Sequence, residues 1–581
     1  MSKRHVTIFS FHEGHDASAA IIRDGRVLAA VQEERLNNIK HYAGPPILSM
    51  NEVFRITNVH PYEIDLIAIA NLVRVTPPVS KRKPSESFPS ESKINSRLWQ
   101  TLHLIGYTPF IASHKYANFY VKTFHRLREM KQVRKILEKL ELVDKEIVFV
   151  EHHLAHASAA YRSTTWNYNE PTLVFTADGA GDGLSSTVSI GKKGEIERIA
   201  SSTYFDSLGN AFYGMITAHL GLKPWHDEYK TMGLAPYGKP QRLIEEMRRI
   251  IILNPQRPLE FKNTISPFIK TKLRTMLCGK RFDDIAAAAQ LHLEELLVSW
   301  IRKAIELTGI RKIACAGGIF LNIKANKKIC EIQEIEEAFF YPDSGDSGTT
   351  IGAGLQAYFD YCMREGIKPE KVPITDIYYG PSYSNEEIKQ TLKETGWINK
   401  AEYHDEIDSL VGERLVEGKI IARFKERMEW GPRGLGNRSI LADPRDLKII
   451  RKINFAIKHR DFWMPFAPSI IEKRMNEYLV NPTPSSYMIK AFDTTENREQ
   501  IIAAIHPADK TCRPQTLNAS LNADYLKVLE TFQENIGIGG ILNTSLNLHG
   551  FPIVCTPLQA LKTFEDSKLD GLALGNYFLT K

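Results

Sequence analysis

The same order of strands and turns occurs twice in the N-terminal part of this chain. The first copy contains the strand HVTIFSF, the turn HEGHD and the strands ASAAIIRDG and RVLAAVQEE, the last two joined as a hairpin by Asp24-Gly25. The second contains TLVFTAD, the glycine-rich turn GAGDG and the strands LSSTVSIG and IERIASS. Each copy places small residues directly after the polar turn, at 17–19 and 185–187. This self-similarity indicates a duplicated unit, with two unrelated hairpins in an α/β protein as the alternative.

Two halves that each begin with three strands and continue into helices are typical of the actin, Hsp70 and sugar-kinase architecture, in which ligands bind between the halves. The predicted fold class is therefore α/β, with a duplicated actin-like N-terminal domain. At 581 residues the chain is too long for one hydrophobic core. The segment GIKPEKVPITD is typical of a linker, and the composition changes after it. We expect a first domain over 1–367 and a second over 376–581.

The composition is that of an ordinary soluble globular protein, with 43% hydrophobic and 25% charged residues. No apolar run is long enough to span a bilayer, and none follows the basic start MSKRH, so we expect neither a signal peptide nor a membrane partner. The six cysteines include no Cys-x-x-Cys pair, which favours free thiols in a cytoplasmic protein. The net charge of +7 fits phosphorylated small molecules and does not require nucleic acid.

The stretch 151–183 contains a candidate metal site. His152 and His156 are about one helical turn apart, so both imidazoles project from one face of a helix. The following strand ends in Asp178, and two imidazoles with a carboxylate can hold one divalent metal. Asp346, in another turn rich in aspartate and glycine, is a candidate fourth ligand. A histidine pair on a helix is also often a surface pair or a hydrogen-bonded structural pair, and that alternative stays open.

Glycine-rich turns after two of the strands are candidates for binding a phosphate or a nucleotide. Three glycines, starting with Gly179, follow the first strand and let backbone N–H groups approach an anion. Gly317 and Gly318 join a buried strand to a helix, where a nucleotide phosphate or ribose can dock, although a tight turn is the alternative. Lys230 is expected to head a loop punctuated by glycine and proline, which gives it a defined position.

Basic residues concentrate among glycines in the second domain. Such arginines are a poor way to build a core, because an unpaired buried charge is costly, but they clamp phosphates well. The polar strand end NTSLN at 543–547 suits the same anion, and surface charge is the alternative for each basic residue singly. The residues predicted to bind a phosphorylated co-substrate here are Arg423, Arg427, Arg433, Arg438, Ser439, Lys458, Arg460, Arg513, Asn543, Ser545 and Asn547.

Several motifs occur in a fixed order along nearly the whole chain. In the first domain they are His12-x-x-His15-Asp16, Glu33-Glu34-Arg35 with Lys40-His41, His152-His153-Leu-Ala-His156, Thr176-Ala-Asp178-Gly179, Lys230-x-Met-Gly-Leu-Ala-Pro-Tyr-Gly, Ala-Gly-Gly-x-x-x-Asn322 and Gly345-Asp346-x-Gly. In the second they are Arg427-Met-Glu-Trp-Gly-Pro-Arg433-Gly-Leu-Gly-Asn-Arg438, Pro465-Phe-Ala-Pro and Asn543-Thr-Ser-x-Asn547. Together they resemble the NodU/CmcH family of O-carbamoyltransferases, and the long arginine motif is the most specific of them.

The resemblance implies a first domain like the tRNA threonylcarbamoyl-transfer proteins of the actin-like superfamily and a second, YrdC-like α/β domain. It implies that the second domain converts carbamoyl phosphate and ATP, with Mg²⁺, to carbamoyl-adenylate. The first domain would then pass the carbamoyl group to a hydroxyl of a small-molecule acceptor such as a sugar, an antibiotic or a related secondary metabolite. No nucleic-acid partner is expected, and a homodimer is compatible with this picture.

The resemblance also implies roles for individual residues. The metal, Fe²⁺ or another divalent ion, would be held by His152, His156, Asp178 and Asp346. The adenylate would be held by Gly317, Gly318 and Asn322. His15 and Lys40 would lie beside the transferred carbonyl, His15 or Asp16 is a candidate base by position, and His41 and Lys230 complete the expected catalytic set.

The chain departs from the family pattern at a few positions. Lys425 and Glu426 replace a Gln-Gly pair, Met464 replaces an arginine, and Phe551 replaces a glutamate. Trp430 stands where the family has phenylalanine, and Gly434 stands where it has alanine. These changes affect the expected geometry of the carbamoyl phosphate site.

Three other functions are compatible with parts of the pattern. A tRNA threonylcarbamoylation-type enzyme uses related domains, but the arginine motif and the lack of a strongly basic face speak against it. The hydrogenase-maturation carbamoyltransferase carries Cys-x-x-Cys zinc motifs, which this sequence lacks. A non-catalytic nucleotide- and metal-binding partner in a biosynthetic complex would require damaged ligands, and all four candidate metal ligands are present.

Overall fold

The computed structural model describes residues 5–72, 126–265 and 269–581. Their contacts define two compact units, both of mixed α/β structure. Unit 1 comprises Met1–Glu33, His41–Thr231 and Gly238–Ile374. Unit 2 comprises Glu34–Lys40, Met232–Tyr237 and Thr375–Lys581. Two short segments from the N-terminal part of the chain therefore belong to unit 2.

The first half of unit 1 is built on a five-stranded mixed sheet in the order β3-β2-β1-β4-β5. The first three strands pair antiparallel, and β1, β4 and β5 pair parallel. The strands and helices of this part of the chain are β1 (Thr7–His12), β2 (Ser18–Arg23), β3 (Arg26–Gln32), α1 (Glu33–Asn37), α2 (Ile47–Thr57), β4 (Leu66–Ala70), α3 (Arg126–Lys139), β5 (Glu146–Val150) and α4 (His152–Arg162). All residues of α1 after Glu33 belong to unit 2.

The second half of unit 1 repeats this plan in a sheet with the order β12-β11-β6-β7-β8, beside a two-stranded sheet of β9 and β10. Its elements are β6 (Thr172–Gly181), β7 (Leu184–Lys192), β8 (Glu195–Thr203), α5 (Gly214–His219), α6 (Glu228–Leu234), α7 (Ile244–Arg248), β9 (Ile251–Asn254), β10 (Arg257–Asn263), α8 (Ile269–Leu277), α9 (Phe282–Thr308), β11 (Lys312–Ala316), α10 (Ile323–Cys330), β12 (Glu337–Phe340) and α11 (Gly348–Arg364).

The two sheets of unit 1 have equivalent topologies, so the predicted repeat is present. In each, three consecutive antiparallel strands are followed by two parallel strands that join beside the first. Helix α4 packs on β6 and β11 of the second sheet, α11 packs on β1 and β4 of the first, and the two helices contact each other. A Cβ at Gly352 would lie 1.9 Å from the carbonyl oxygen of Ala155. Glycine is needed there because the backbones of α4 and α11 approach so closely.

Unit 2 is built on an eight-stranded sheet in the order β13-β20-β19-β14-β15-β18-β16-β17. Successive residues of β14 point to opposite faces, so Ala422 lies in one apolar core and Ile421 in another, and helices cover both faces. The elements are α12 (Asn385–Glu394), β13 (Ala401–Tyr403), α13 (Ile407–Val416), β14 (Ile421–Phe424), β15 (Arg438–Ala442), α14 (Lys448–Ile453), β16 (Ala467–Ile471), α15 (Met475–Tyr478), β17 (Gln515–Leu517), α16 (Ala519–Ile536), β18 (Gly540–Ser545), α17 (Pro557–Glu565), β19 (Gly571–Leu574) and β20 (Tyr577–Thr580).

Two local predictions differ from the structure. Lys230 lies within helix α6 and not at the head of a loop, because the helix continues past it to Leu234 before the proline. Asp178 lies inside β6, which continues to Gly181 through a register shift against β7. Within the described part of the chain, no helix has both the length and the apolar character needed to cross a membrane. The segment 74–97 is rich in proline, serine and lysine, which predicts an exposed loop, and it lies outside the described residues.

Candidate functional site

Four side chains from three segments of unit 1 converge on one point. The helix α4 supplies two histidines a turn apart, β6 supplies one carboxylate, and the turn before α11 supplies another. One ligand atom from each side chain lies within 4.8 Å of the others. The members of this cluster are His152, His156, Asp178 and Asp346. The structure thus brings together the four residues predicted as metal ligands.

The distances within this cluster suit a shared cation. The Nε2 atom of His152 lies 3.1 Å from Oδ2 of Asp178 and 3.9 Å from Oδ1 of Asp346. The Nε2 atom of His156 lies 4.0 Å from the same Asp346 oxygen. The ring of His152 fits only because residue 181 is glycine, since a Cβ at Gly181 would lie 2.0 Å from Cγ of His152.

The donor set of this cluster fits a metal ion. Both ring nitrogens of His156 are buried and make no hydrogen bond with any of the described residues. A buried imidazole without partners is costly, because its polar atoms lose water and gain nothing in return. Two imidazoles and two carboxylates match the ligand preferences of Fe²⁺ and other divalent metals. A metal bound to Nε2 of His156 would give one of these two nitrogens a partner.

The pKa values of the cluster show strong coupling among its charges. Burial, and then the nearby Asp178 charge, raises the pKa of Asp346 to about 7. Burial opposes protonation of His152, but its hydrogen bond with Asp178 and the charge of Asp346 outweigh that and raise its pKa to about 9. Burial and the charge of His152 hold the pKa of His156 well below its usual value. His156 therefore offers an unprotonated nitrogen at neutral pH.

Metal binding to this cluster is expected to strengthen as the pH rises. A metal must displace the protons of Asp346 and His152, whose pKa values are about 7 and about 9, so protons compete below those values. The apparent metal affinity should increase from pH 6 to pH 9, each proton displaced contributing up to about tenfold per pH unit. Equilibrium dialysis at a series of pH values measures this. An affinity that does not change over this range would contradict the assignment of these ligands.

A second polar cluster lies in unit 1. The carboxylate of Asp16 lies 2.8 Å from Nδ1 of His15 through one oxygen and 2.8 Å from Nδ1 of His41 through the other. Burial opposes its ionisation, but these two imidazoles hold the pKa of Asp16 well below its usual range. The ring of His41 also contacts the ring of His226, with centroids 4.7 Å apart. The structure thus gathers three of the predicted catalytic residues around one permanent carboxylate.

The last predicted catalytic residue of unit 1 borders this cluster. His226 shares a hydrogen bond of 2.9 Å with Asp227, whose carboxylate is also 3.5 Å from Nζ of Lys230. Asp227 therefore links Lys230 to His226, whose ring contacts that of His41. The sequence carries no signal for His226 or Asp227, because neither belongs to a recurrent pattern of catalytic residues.

The glycine turns predicted to bind the nucleotide border the metal cluster. The backbone N–H of Gly318 donates to Oδ1 of Asp178 at 2.9 Å. Gly317 has a φ of 101°, and a Cβ there would lie 2.3 Å from the carbonyl oxygen of Ala177, so only glycine fits. A Cβ at Gly179 would meet the side chain of Asn210 at 2.7 Å. These turns bring backbone close to the cluster and leave little room for other side chains.

Asn322 ends the short turn after Gly318 and caps α10 by accepting a hydrogen bond from the N–H of Ala325 at 3.0 Å. Its amide also forms a reciprocal pair with Gln290, with bonds of 2.9 and 3.0 Å. Asn322 therefore fixes the start of α10 beside the glycine turn, where a nucleotide is predicted.

Unit 2 contains a cavity at the ends of β16 and β18. Its lining residues are Pro432, Arg433, Gly434, Arg460, Phe466, Ala467, Met488, Arg513, Asn543, Thr544 and Ser545. Three guanidinium groups meet there, and no acidic residue is among these lining residues. Burial, together with the Arg433 and Arg460 cations, holds the pKa of Arg513 well below its usual value. Three guanidinium groups at one cavity attract an anion with several oxygens.

Three other predicted arginines contribute to the interior of unit 2. Arg423 is fully buried, pairs with Asp408 at 2.8 Å and donates to the carbonyl oxygen of Gly436. Arg438 is also fully buried and donates to several backbone carbonyl groups of neighbouring loops. Arg427 donates to the carbonyl groups of residues 379 and 380. None of the three lines the cavity, so their positions support a role in holding loops.

Three of the remaining predicted residues stabilise the polar strand end. Lys458 donates to the carbonyl oxygen of Ser545 at 2.6 Å and to Oδ1 of Asn547 at 2.8 Å. Burial and then the charges of Arg460 and Lys40 hold the pKa of Lys458 well below its usual value. Lys40, predicted beside the transferred carbonyl, thus lies in unit 2 near Lys458.

A glutamate that was not predicted as a site residue organises the loop next to the cavity. The Oε1 atom of Glu429 accepts hydrogen bonds from the backbone N–H groups of Leu435, Asn437 and Arg438, at 2.7, 2.9 and 2.9 Å. The hydroxyl of Ser439 accepts a further bond from Gly436 in the same loop. Glu429 is buried and thereby fixes the turn that carries the cavity arginine at 433.

Replacement of Glu429 by alanine is expected to destabilise unit 2. The change leaves three buried N–H groups without an acceptor, and the resulting cost is roughly 3 kcal/mol or more. A lower urea midpoint by circular dichroism would show this. Glu426→Ala is the matched control, because its side chain is exposed in the same loop. Equal midpoints for the two variants would contradict the proposed role.

Two departures from the family pattern, Lys425 and Gly434, have a structural reason here. Lys425 forms ion pairs with Asp408 at 2.5 Å and Asp524 at 2.9 Å. The side chain of Phe551 is 46% exposed, and the backbone oxygen of this residue accepts a hydrogen bond from Asn547. Position 434 must be glycine in this backbone, since a Cβ would lie 2.8 Å from Cα of Ser545.

Comparison with known proteins identifies the family of this chain. Residues 7–355 match the family described as the carbamoyltransferase N-terminus, and residues 412–581 match the carbamoyltransferase C-terminus. The chain therefore belongs to the carbamoyltransferase family and is a carbamoyltransferase enzyme. The resemblance to the NodU/CmcH family is confirmed.

Three relatives align with nearly all or about half of this chain. The nodulation protein NolNO of Sinorhizobium fredii is 31% identical over 98% of this chain and 79% of its own length. The uncharacterized protein MJ1058 of Methanocaldococcus jannaschii is 29% identical over 98% of both chains. The nodulation protein U of Sinorhizobium fredii is 30% identical over 46% of both chains.

Proposed function

We propose that this carbamoyltransferase makes carbamoyl-adenylate in its YrdC-like unit 2 and transfers the carbamoyl group to a hydroxyl of a small-molecule acceptor in its actin-like unit 1. The observation that carries the proposal is the presence of two chemically different sites. One is a cavity with three arginines and no lining carboxylate. The other is a His₂Asp₂ cluster beside a His-Asp-His cluster.

The arginine cavity supports the activation half of the reaction. Carbamoyl phosphate, ATP and water would give carbamoyl-adenylate, pyrophosphate and phosphate. Water attacks the carbamoyl carbon of carbamoyl phosphate, the C–O bond to the phosphate breaks, and carbamate and phosphate form. An oxygen of carbamate then attacks the α-phosphorus of ATP and displaces pyrophosphate. Arg433, Arg460 and Arg513 would neutralise the phosphate oxygens, because guanidinium groups bind such oxygens in pairs. Mg²⁺ would accompany ATP.

The clusters in unit 1 support the transfer half. The acceptor hydroxyl attacks the carbamoyl carbon, its proton leaves, and the bond to AMP is broken, so that a carbamate ester and AMP are formed. Asp16 is a poor base because its pKa lies well below its usual range. It instead orients His15 through Nδ1, and Nε2 of His15 is the nitrogen that takes the proton.

The predicted metal fits the neighbouring cluster. His152, His156, Asp178 and Asp346 would hold Fe²⁺ or another divalent ion, which when bound would polarise the carbamoyl carbonyl. Gly317, Gly318 and Asn322 would position the adenylate at the glycine turn beside Asp178. We expect the acceptor to contact the segments 74–115, which lies outside the described residues, and 204–230, which lies within them. The proposal names the acceptor only as a hydroxylated small molecule.

The activation half can be tested without an acceptor. Protein is incubated with ATP, Mg²⁺ and carbamoyl phosphate, and pyrophosphate release and carbamoyl-adenylate are followed by enzymatic assay and mass spectrometry. We expect both products only when carbamoyl phosphate is present, and neither from Arg433→Ala. Arg451→Ala, at an exposed position of α14, should react like the wild type. The proposal would be contradicted if the wild type and Arg451→Ala both failed to form adenylate.

A further inference from the structure

Asn71 connects the first sheet of unit 1 to the helix that carries two of the metal-cluster histidines. It directly follows β4, and its backbone N–H donates to the carbonyl oxygen of Val150 at 2.8 Å. Its Oδ1 atom lies 2.8 Å from Nδ1 of His152. The residue has a φ of 79°, in the left-handed region that asparagine tolerates better than most side chains. This unusual backbone holds the amide against the imidazole.

The orientation of this amide follows from the residues on its other side. The carbonyl oxygen of His15 can only accept, so Nε2 of His12, 3.0 Å away, carries a proton and donates. With its proton on Nε2, the buried neutral ring of His12 presents Nδ1 as an acceptor. Nδ2 of Asn71, 3.4 Å from that atom, is the donor. The amide oxygen therefore faces His152.

The same reasoning sets the proton positions on His152. An amide oxygen can only accept, so Nδ1 of His152 must donate to Asn71. The other ring nitrogen, Nε2, points at Asp178 and Asp346. A proton held on Nδ1 leaves the lone pair of a neutral imidazole on Nε2, which is the atom that a metal needs.

The carboxylate of Asp182 fixes the distance between the segment that follows β4 and the start of α4. Asp182 accepts hydrogen bonds from the backbone N–H of Leu72 at 2.9 Å and from that of His152 at 2.8 Å. The residue after Asn71 and the first residue of α4 are thus tied to one side chain. The hydrogen bond between Asn71 and His152 is consequently made between two anchored groups and loses little entropy on forming.

We propose that Asn71 is a positioning residue of the metal site, whose amide, oriented through His12, holds the Nδ1 proton of His152 and directs Nε2 to the metal. The proposal rests on the proposed function only for the presence of a metal at the His₂Asp₂ cluster. Metal-bound histidines usually donate their second N–H to an oxygen acceptor, and loss of such a partner costs about 10–100-fold in affinity.

The test compares the binding of Co²⁺ to metal-free protein among four chains, by competition with a chromophoric chelator and by visible absorption. We expect Asn71→Ala to bind Co²⁺ about 10–100-fold more weakly than the wild type. Asn71→Asp should recover most of this affinity, because a carboxylate oxygen also accepts from Nδ1. Asn58→Ala is the control for backbone strain, since Asn58 has a φ of 51° at an exposed helix end.

The outcomes separate this proposal from the assignment of the metal site. The role of Asn71 is supported if Asn71→Ala binds Co²⁺ weakly and Asn71→Asp recovers the affinity. Asn58→Ala should then bind Co²⁺ as tightly as the wild type. Equal affinity and an unchanged Co²⁺ spectrum in Asn71→Ala would overturn it while leaving the metal site intact. A wild-type protein that binds no Co²⁺ would overturn both. Thermal unfolding followed by circular dichroism verifies that each variant is folded.

Discussion

A His156→Ala protein is expected to bind its metal at least about 100-fold more weakly than the wild type, because loss of a direct ligand exceeds the 10–100-fold loss seen for indirect partners. Carbamoyl transfer to an acceptor should fall with it. The substitution also removes two buried nitrogens that have no hydrogen-bond partner among the described residues. The metal-free protein should therefore keep its unfolding temperature or gain slightly.

His153→Ala is the matched control for this experiment. His153 is the neighbouring buried residue of the same helix, but its Nδ1 atom lies 2.8 Å from the Thr176 hydroxyl, outside the cluster. Metal content by mass spectrometry and unfolding by calorimetry are measured for both variants. The control should retain its metal. Full metal occupancy in His156→Ala, or equal loss in both variants, would show that the metal is not held as proposed.

An Arg513→Met protein is expected to be more stable than the wild type without ligand and inactive in forming the adenylate. Arg513 makes no hydrogen bond or ion pair with the described residues and lies near two other cations. Replacing such a charge by an apolar side chain of similar length should stabilise the protein by about 1 kcal/mol or more. Losing one charge-assisted contact should weaken binding of pyrophosphate about 10–100-fold.

The two effects are measured together by thermal unfolding with and without pyrophosphate. Ligand should raise the wild-type midpoint and leave that of Arg513→Met almost unchanged. Arg451→Met, with its exposed side chain on α14, should respond like the wild type. An Arg513→Met protein that is less stable than the wild type and still responds to pyrophosphate would show that the arginine has a structural role.

The metal cluster could be predicted because its signals are local. A histidine pair one turn apart defines one face of a helix, and Asp178 and Asp346 each lie in a stretch of sequence rich in glycine. The duplicated strand order was visible for the same reason. Asn71 carried no such signal, because its contact with His152 joins residues 81 positions apart and depends on how the first sheet packs near α4.

The arginines show why the second site was predicted only in part. A guanidinium group donates equally well to a phosphate and to a backbone carbonyl, so the sequence does not distinguish the two. Arg433, Arg460 and Arg513 line the cavity, whereas Arg423 and Arg438 donate to protein oxygens. Lys230 was assigned to a loop because glycine and proline follow it, yet α6 ends just before that proline.

The assignment of two N-terminal segments to unit 2 limits how the enzyme can be divided. Leu36 packs on the cluster of Met428, Ile553 and Cys555, and the carbonyl oxygen of Gly233 is 2.9 Å from Nε2 of His506. A chain that starts after the linker lacks both segments and exposes the apolar and polar groups that they cover. Production of an active second half should therefore require these two peptides in trans, much as a split protein is complemented by its missing fragment.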